Sequence, residues 1–229
     1  MSASVSGHGS RPLLALVSAV PAAIPPTRAA FDAHFPEAEL WNIVDDRLLQ
    51  DADIDGGVSD RLAARMTRLI QHAVIEGADG ILLTCSMYGP VAHAVSDTMN
   101  VPVLGPDDAV FAATAEGGYR DVVVVSSATE PLADSMKRIR AALPESVGLR
   151  GVVTDRAAAA ARAGDTNMVG AHIIRAVEES GARPDAIVLG QYSLAPASSA
   201  IQDALGMPVL AGPQFAVKEL RRRIEETRS

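Results

Sequence analysis

Four short runs of unbroken apolar residues punctuate the chain: Leu13-Leu14-Ala15-Leu16-Val17, Ile81-Leu82-Leu83, Val122-Val123-Val124-Val125 and Ile187-Val188-Leu189. Apolar at every position rather than at alternate ones, and too short for helices, they suit strands covered on both faces, as in a parallel sheet. Between them the period changes to that of a helix. Leu62, Met66, Leu69, Ile70 and Ala73 form one stripe behind Ser59, a helix-capping residue, while Arg61, Arg65, Arg68 and His72 fall on the wet side. Val169, Ile173, Ala176 and Val177 form another over residues 165–180, with His172, Arg175 and Glu179 turned to water. The pattern predicts strands at 13–20, 39–44, 81–83, 101–104, 121–125, 149–153 and about 187–189. It predicts further helices over 28–34 and 90–98, and others starting at Pro106-Asp107-Asp108 and Thr129-Glu130-Pro131. Alternation of this kind is an α/β architecture.

The alternation runs twice. A shift of 106 residues superposes Asp79 on Asp185, Ile81 on Ile187, Leu83 on Leu189, Pro90 on Pro196 and Pro102-Val103-Leu104 on Pro208-Val209-Leu210. So long a period indicates a duplicated unit rather than a solenoid. The expected organisation is a Ser/Gly-rich disordered tail over 1–12, an α/β half over 13–117, a second over 118–212, and a helix over 213–229 packing back on the first half. Ligands of parallel α/β sheets bind outside the carboxyl ends of the strands, so the post-strand loops of both halves should meet at one cleft.

Composition narrows the function. A net charge of -8 and 3% aromatic residues argue against a nucleic-acid or anionic-membrane surface. One cysteine excludes an intramolecular disulfide and a cysteine-rich zinc site. No apolar run approaches the roughly 20 residues of a membrane span, and the run at 13–23 reads as the first strand rather than a secretion signal, which implies a cytoplasmic protein. Asp51-Ala52-Asp53-Ile54-Asp55-Gly56 begins like a calcium loop, but its twelfth position is Leu62 instead of a bidentate Glu, so it reads as a solvated acidic loop. Gly117-Gly118 precedes a strand instead of following one and is no phosphate loop. No metal-ligand cluster is present, and no cofactor is expected.

The lone thiol is the centre of the candidate chemistry. Cys85 follows the strand 81–83, amid Thr84, Ser86 and Tyr88, and Gly89-Pro90 then opens a helix whose positive end favours thiolate. The position matching Cys85 in the second half is Gln191, which can hydrogen-bond but is no practical acid or base. Asn42, at the end of the second strand, is a candidate contact, preferred to Asp45, because a carboxylate there would raise the thiol's pKa. His93 reads as an ordinary helix residue.

The duplicated architecture, the post-strand loop Thr84-Cys85-Ser86, the turn Ser126-Ser127-Ala128-Thr129 and the loop Gly190-Gln191-Tyr192-Ser193 together resemble the aspartate/glutamate racemase superfamily, with its hydantoin racemases, maleate isomerases and arylmalonate decarboxylases. The likeness spans nearly the whole chain. It implies two pseudo-symmetric parallel-sheet halves with the site between them, cofactor-independent chemistry beside the carboxylate of a small carboxylic acid, and a homodimer or higher homo-oligomer. Two-base members carry a cysteine in each half, whereas this chain has Cys85 and Gln191; single-cysteine arylmalonate decarboxylases carry theirs in the second half, the reverse of this chain. In such chemistry Cys85 would be catalytic, with Tyr192 the neighbouring candidate for a second proton carrier. Thr84, Ser86, Ser126, Ser127, Thr129 and Ser193 would supply donors to an enediolate, with Gln191 and Asn42 as further substrate contacts. The implied function is racemase or isomerase first. A decarboxylase or other carbon–carbon lyase, and a non-catalytic carboxylate-binding protein, remain as alternatives. Met87, Tyr88, Tyr192 and Leu194 are the expected lining, suited to a partly apolar acid.

Overall fold

Residues 11–228 are described in the computed structural model; the tail expected over 1–12 lies outside them apart from Arg11 and Pro12. The first half carries β1 (Leu13–Ser18), α1 (Ile24–His34), β2 (Glu39–Val44), α2 (Arg47–Asp55), α3 (Asp60–Ile75), β3 (Gly80–Leu83), α4 (Gly89–Ser96), β4 (Val103–Leu104) and α5 (Asp108–Glu116). The second carries β5 (Asp121–Ser126), α6 (Thr129–Ala142), β6 (Gly148–Val153), α7 (Asp155–Arg162), α8 (Thr166–Glu179), β7 (Ala186–Leu189), α9 (Ser198–Leu205), β8 (Val209–Ala211) and α10 (Gly212–Arg228). Each half is a four-stranded parallel sheet, in the orders β2-β1-β3-β4 and β6-β5-β7-β8.

The apolar runs are buried on both faces because each sheet is covered twice. Ala15, Val17, Ile81 and Leu83 pack against α3 and α4 through Met66, Ile70 and Ala92, while the alternate residues Leu14, Leu16 and Leu82 pack on α1 and α10 through Phe31, Leu220 and Ile224. Gly80 permits the close approach of α10: a Cβ there would lie 2.9 Å from the Ile224 Cδ1 and 3.1 Å from a Leu220 methyl. The repeat has a local cause as well. Asp79 accepts the Leu13 N–H at 2.8 Å, and Asp185 accepts the Arg120 and Asp121 N–H groups at 2.8 and 3.2 Å, so the matched carboxylates tie down the same strand start in each half.

The acidic stretch 51–56 departs from expectation. It belongs to α2 and its cap, not to a solvated loop: Leu48 and Ala52 are buried, and Asp51, 6% exposed, pairs with Arg65 at 3.0 Å and Arg47 at 3.2 Å. Arg65 therefore faces α2 and Asp45 instead of water. Ser59 holds the N-cap position of α3 without capping it; its hydroxyl donates to Asp55 at 2.6 Å. Asp165, at the start of α8, does cap, accepting the Met168 N–H at 3.0 Å.

The halves interlock reciprocally. A turn of 3-10 helix over Ser86–Tyr88, after β3, packs on α6 of the second half; the corresponding turn Tyr192–Ala197, after β7, packs on α1 and the turn Pro21–Ala23 of the first. The turns that follow the central strands of each half thus lie against the other half.

Candidate functional site

The β1–β3 ladder ends at Val17↔Leu83 and the β5–β7 ladder at Val125↔Leu189. The next residues of these central strands are Ser18 and Thr84 in one half, Ser126 and Gly190 in the other. Thr84 and Ser18 are buried, with the Thr84 hydroxyl donating to the Ser18 hydroxyl at 2.9 Å. In the second half the Gln191 Oε1 accepts the Ser127 N–H at 2.8 Å and the Ser126 hydroxyl at 3.3 Å. Gln191, Ser126 and Ser127 are thus one hydrogen-bonded group. The Gln191 Nε2, with two N–H donors, takes no protein acceptor among the described residues.

Cys85 is half-buried just beyond the end of β3, and its carbonyl accepts the Tyr88 N–H at 3.0 Å, closing the turn that follows. Against the thiolate expected there, burial pushes the Cys85 thiol up to about 11, Asp107 adds to the rise, and the backbone of Met87 and Tyr88 and the Arg138 charge only partly offset it. Desolvation of the anion outweighs the helix end. At neutral pH the neutral S–H form is therefore favoured.

Tyr192 takes a different place from the one its sequence position suggests. It is 4% exposed, packs with Leu14, Leu16 and Leu220, and donates its hydroxyl to the Pro106 carbonyl at 3.1 Å; burial, then Asp107 and Asp108, push its pKa well above the ordinary value. Tyr88 is fully buried with its hydroxyl on the Leu48 carbonyl at 2.9 Å, and Leu194 is fully buried, so of the four expected lining residues only Met87 is half-exposed. Asn42 sits within β2 level with Leu16, two residues short of the strand end, its buried Oδ1 without a partner. Thr129 is exposed as the first residue of α6, and Ser193 is half-buried within its turn. His93 contacts Asp108 at 2.7 Å on the outside.

Two features escaped the sequence. Val44 and Val153 end the edge strands β2 and β6, in register with Ser18 and Ser126, and are 40% and 41% exposed, an apolar residue presented at the same rim position of each half. Asp107 and Arg138 form a buried ion pair at 2.7 Å, with Ser86 donating to the same Asp107 at 3.0 Å. Only a match between the two edge-strand ends would have flagged the valines. Arg138 precedes the buried Ile139 in α6 and carries no mark that separates it from a surface charge. A cavity of about 540 Å³ opens between α5 and α10, lined by residues such as Ala109, Ala112, Phe215 and Lys218, and none of the expected site residues lines it. Among the described residues no group of three or more His, Cys, Asp or Glu is placed to hold a metal ion, and no helix is long and apolar enough to cross a membrane.

A model of the Asp/Glu/Hydantoin racemase family matches residues 26–220. Among solved structures, glutamate racemase isoform RacE1 from Bacillus anthracis superposes with a TM-score of 0.71 at 12% identity, covering 95% of this chain and 83% of that one. Allantoin racemase from Klebsiella pneumoniae gives 0.69 at 18% identity, with coverages of 94% and 88%. A double mutant of arylmalonate decarboxylase in its liganded form gives 0.61 at 18% identity, with coverages of 93% and 92%. No curated protein matches in sequence.

Proposed function

The chain belongs to the Asp/Glu/hydantoin racemase family, and from that premise we propose that it is a cofactor-independent racemase or isomerase acting beside the carboxylate of a small carboxylic acid, with Cys85 as its proton-transfer group. The observation that carries this reading is Cys85 itself, the sole cysteine, half-buried just beyond the end of β3 where the turn Ser86–Tyr88 begins. The backbone of Met87 and Tyr88 and the Arg138 charge favour a thiolate whenever one forms. A thiolate takes the α-proton and leaves an enediolate. The Gln191 Nε2 and the hydroxyls of Ser127 and Ser193 are the half-buried donors available to its oxygens. Proton return from the Cys85 side gives exchange; return by water on the opposite side, beside Gln191, gives inversion. The exposed Val44 and Val153 favour an acid with an apolar substituent.

Tyr192 is not retained as the second proton carrier. Its hydroxyl is committed to Pro106 in a buried setting that opposes ionisation. Tyr192→Phe is expected to leave turnover within about twofold while costing about 1–2 kcal/mol of stability, because the buried Pro106 carbonyl loses its donor. A melting curve beside an activity assay checks both halves of this expectation.

Decarboxylation is the second reading, and the raised thiol pKa favours it. Loss of CO₂ from a malonate-type acid leaves the electron pair in an enediolate, which needs one proton; the neutral Cys85 S–H supplies it and water reprotonates the thiolate. Incubation in ²H₂O with α-substituted acids and malonates separates the readings. Solvent deuterium at the α-carbon with no CO₂ release supports racemase or isomerase chemistry, and CO₂ release with one deuterium incorporated supports the lyase. Ligand binding with neither leaves a carboxylate-binding protein.

A further inference from the structure

We propose that Asp107 and Arg138 form a latch between the halves that positions the Cys85 turn and tunes the reactivity of its thiol. This inference rests on Cys85 as the reacting group. Asp107, just before α5 in the first half, is 4% exposed. One carboxylate oxygen accepts the Ser86 hydroxyl at 3.0 Å, and the other takes Arg138 of α6, in the second half, at 2.7 Å. Arg138 is fixed in turn by Asp134 at 2.8 Å and lies over the Phe111 ring at 5.3 Å. Ser86, next to Cys85 in the chain, begins the turn that Cys85 closes by accepting the Tyr88 N–H on its carbonyl at 3.0 Å.

The simpler explanation for Asp107 is that it caps α5, since it holds the N-cap position. Its side chain makes no capping bond, and its two oxygens are turned to Ser86 and Arg138 instead. Stability is also a poor explanation. A buried ion pair loses about as much in desolvation as it gains in attraction, and apolar residues of similar volume often serve as well or better. What the pair supplies is two opposite charges beside one thiol, one from each half. Asp107 raises the Cys85 pKa and Arg138 lowers it. The other charged groups nearby attach to the pair and not to the sulfur: Asp134 to Arg138, and Asp108, paired with His93, beside Asp107. Any motion that separates the halves would draw Arg138 away from Asp107 and weaken the hold on Ser86, so the thiol is primed only with the halves together.

Because Cys85 is the sole cysteine, its alkylation by iodoacetamide in the intact chain reads the thiolate directly. In wild type the rate should climb about tenfold per pH unit from pH 7 to 9, without a plateau. At pH 8, Asp107→Asn is expected to raise the rate about tenfold, since the anion beside the thiol is gone and Arg138 keeps only Asp134 as its partner; Arg138→Met is expected to lower it about tenfold, since Asp107 loses its cation. Opposite signs support the latch. A pair that only holds the structure together would, when broken, loosen the turn and speed alkylation in both variants, and that result, or no change in either, would overturn the proposal. If Arg138→Met does not fold, the double variant Asp107→Asn/Arg138→Met, free of buried charge, carries the test. A rate within about threefold of wild type supports opposed charges, and one about tenfold or more away overturns them. No substrate enters these measurements, so they can fail while the turnover experiments succeed, and the reverse.

Discussion

Cys85→Ala is expected to lower α-proton exchange or CO₂ release at least about 10³-fold, the scale on which a positioned acid–base group or nucleophile contributes. The fold should be indifferent to the change. Cys85 is half-buried, and its backbone carbonyl, which accepts the Tyr88 N–H at 3.0 Å, is untouched by the change. The melting temperature should therefore move by no more than about 2 °C. Cys85→Ser sharpens the test. Serine keeps a hydrogen-bonding atom at the same place, but its proton is held far more tightly than that of a thiol, so activity should fall nearly as far. Retention of wild-type turnover in the alanine variant, on any substrate, would remove Cys85 from the chemistry and with it the proposed function.

Much of this arrangement is legible in the sequence, for physical reasons. Val122–Val125 and Ile81–Leu83 can be read as doubly covered strands because no polar residue interrupts them, and all are buried. The repeat of Asp79 at Asp185 is visible because each carboxylate does the same work at a strand start. What stayed hidden depends on where side chains point. Tyr88 and Tyr192 stand beside the chemistry in sequence, but each turns its ring into the core and spends its hydroxyl on a distant carbonyl. Asp51 looked solvated because its partner Arg65 lies 14 residues away on another helix. Asp107 and Arg138 are 31 residues apart in different halves, so nothing local announces their pairing. The thiol's protonation is the subtlest case: the helix start beside it is legible, but the burial that outweighs it is not.

Leu220→Ala should produce the largest loss of stability among simple core truncations in α10. Leu220 is fully buried in the cluster that joins Leu14, Leu16 and Leu82 of the first sheet to Tyr192 of the second half. Removing its branched end should cost about 2–5 kcal/mol, the range for a buried leucine that leaves a cavity. For a chain of this size that lowers the melting temperature by roughly 5–15 °C. The neighbourhood offers an internal check. A Cβ at Gly80 would meet the Leu220 methyl at 3.1 Å and the Ile224 Cδ1 at 2.9 Å, so Gly80→Ala alone overpacks the site, whereas Leu220→Ala empties part of the same space. The double variant should therefore be more stable than the sum of the two losses predicts, by about 0.5–3 kcal/mol. The consequence reaches the reactive end of the fold. α10 begins at Gly212, where a Cβ would lie 2.6 Å from the Tyr192 ring and 3.1 Å from the Pro106 carbonyl, the residue that leads into Asp107. Loosening α10 should thus disturb the latch before the chain unfolds, seen as a changed Cys85 alkylation rate at temperatures below the melting transition. A loss under about 1 kcal/mol, with alkylation unchanged, would mean that α10 only covers the first sheet and does not brace the contact between the halves.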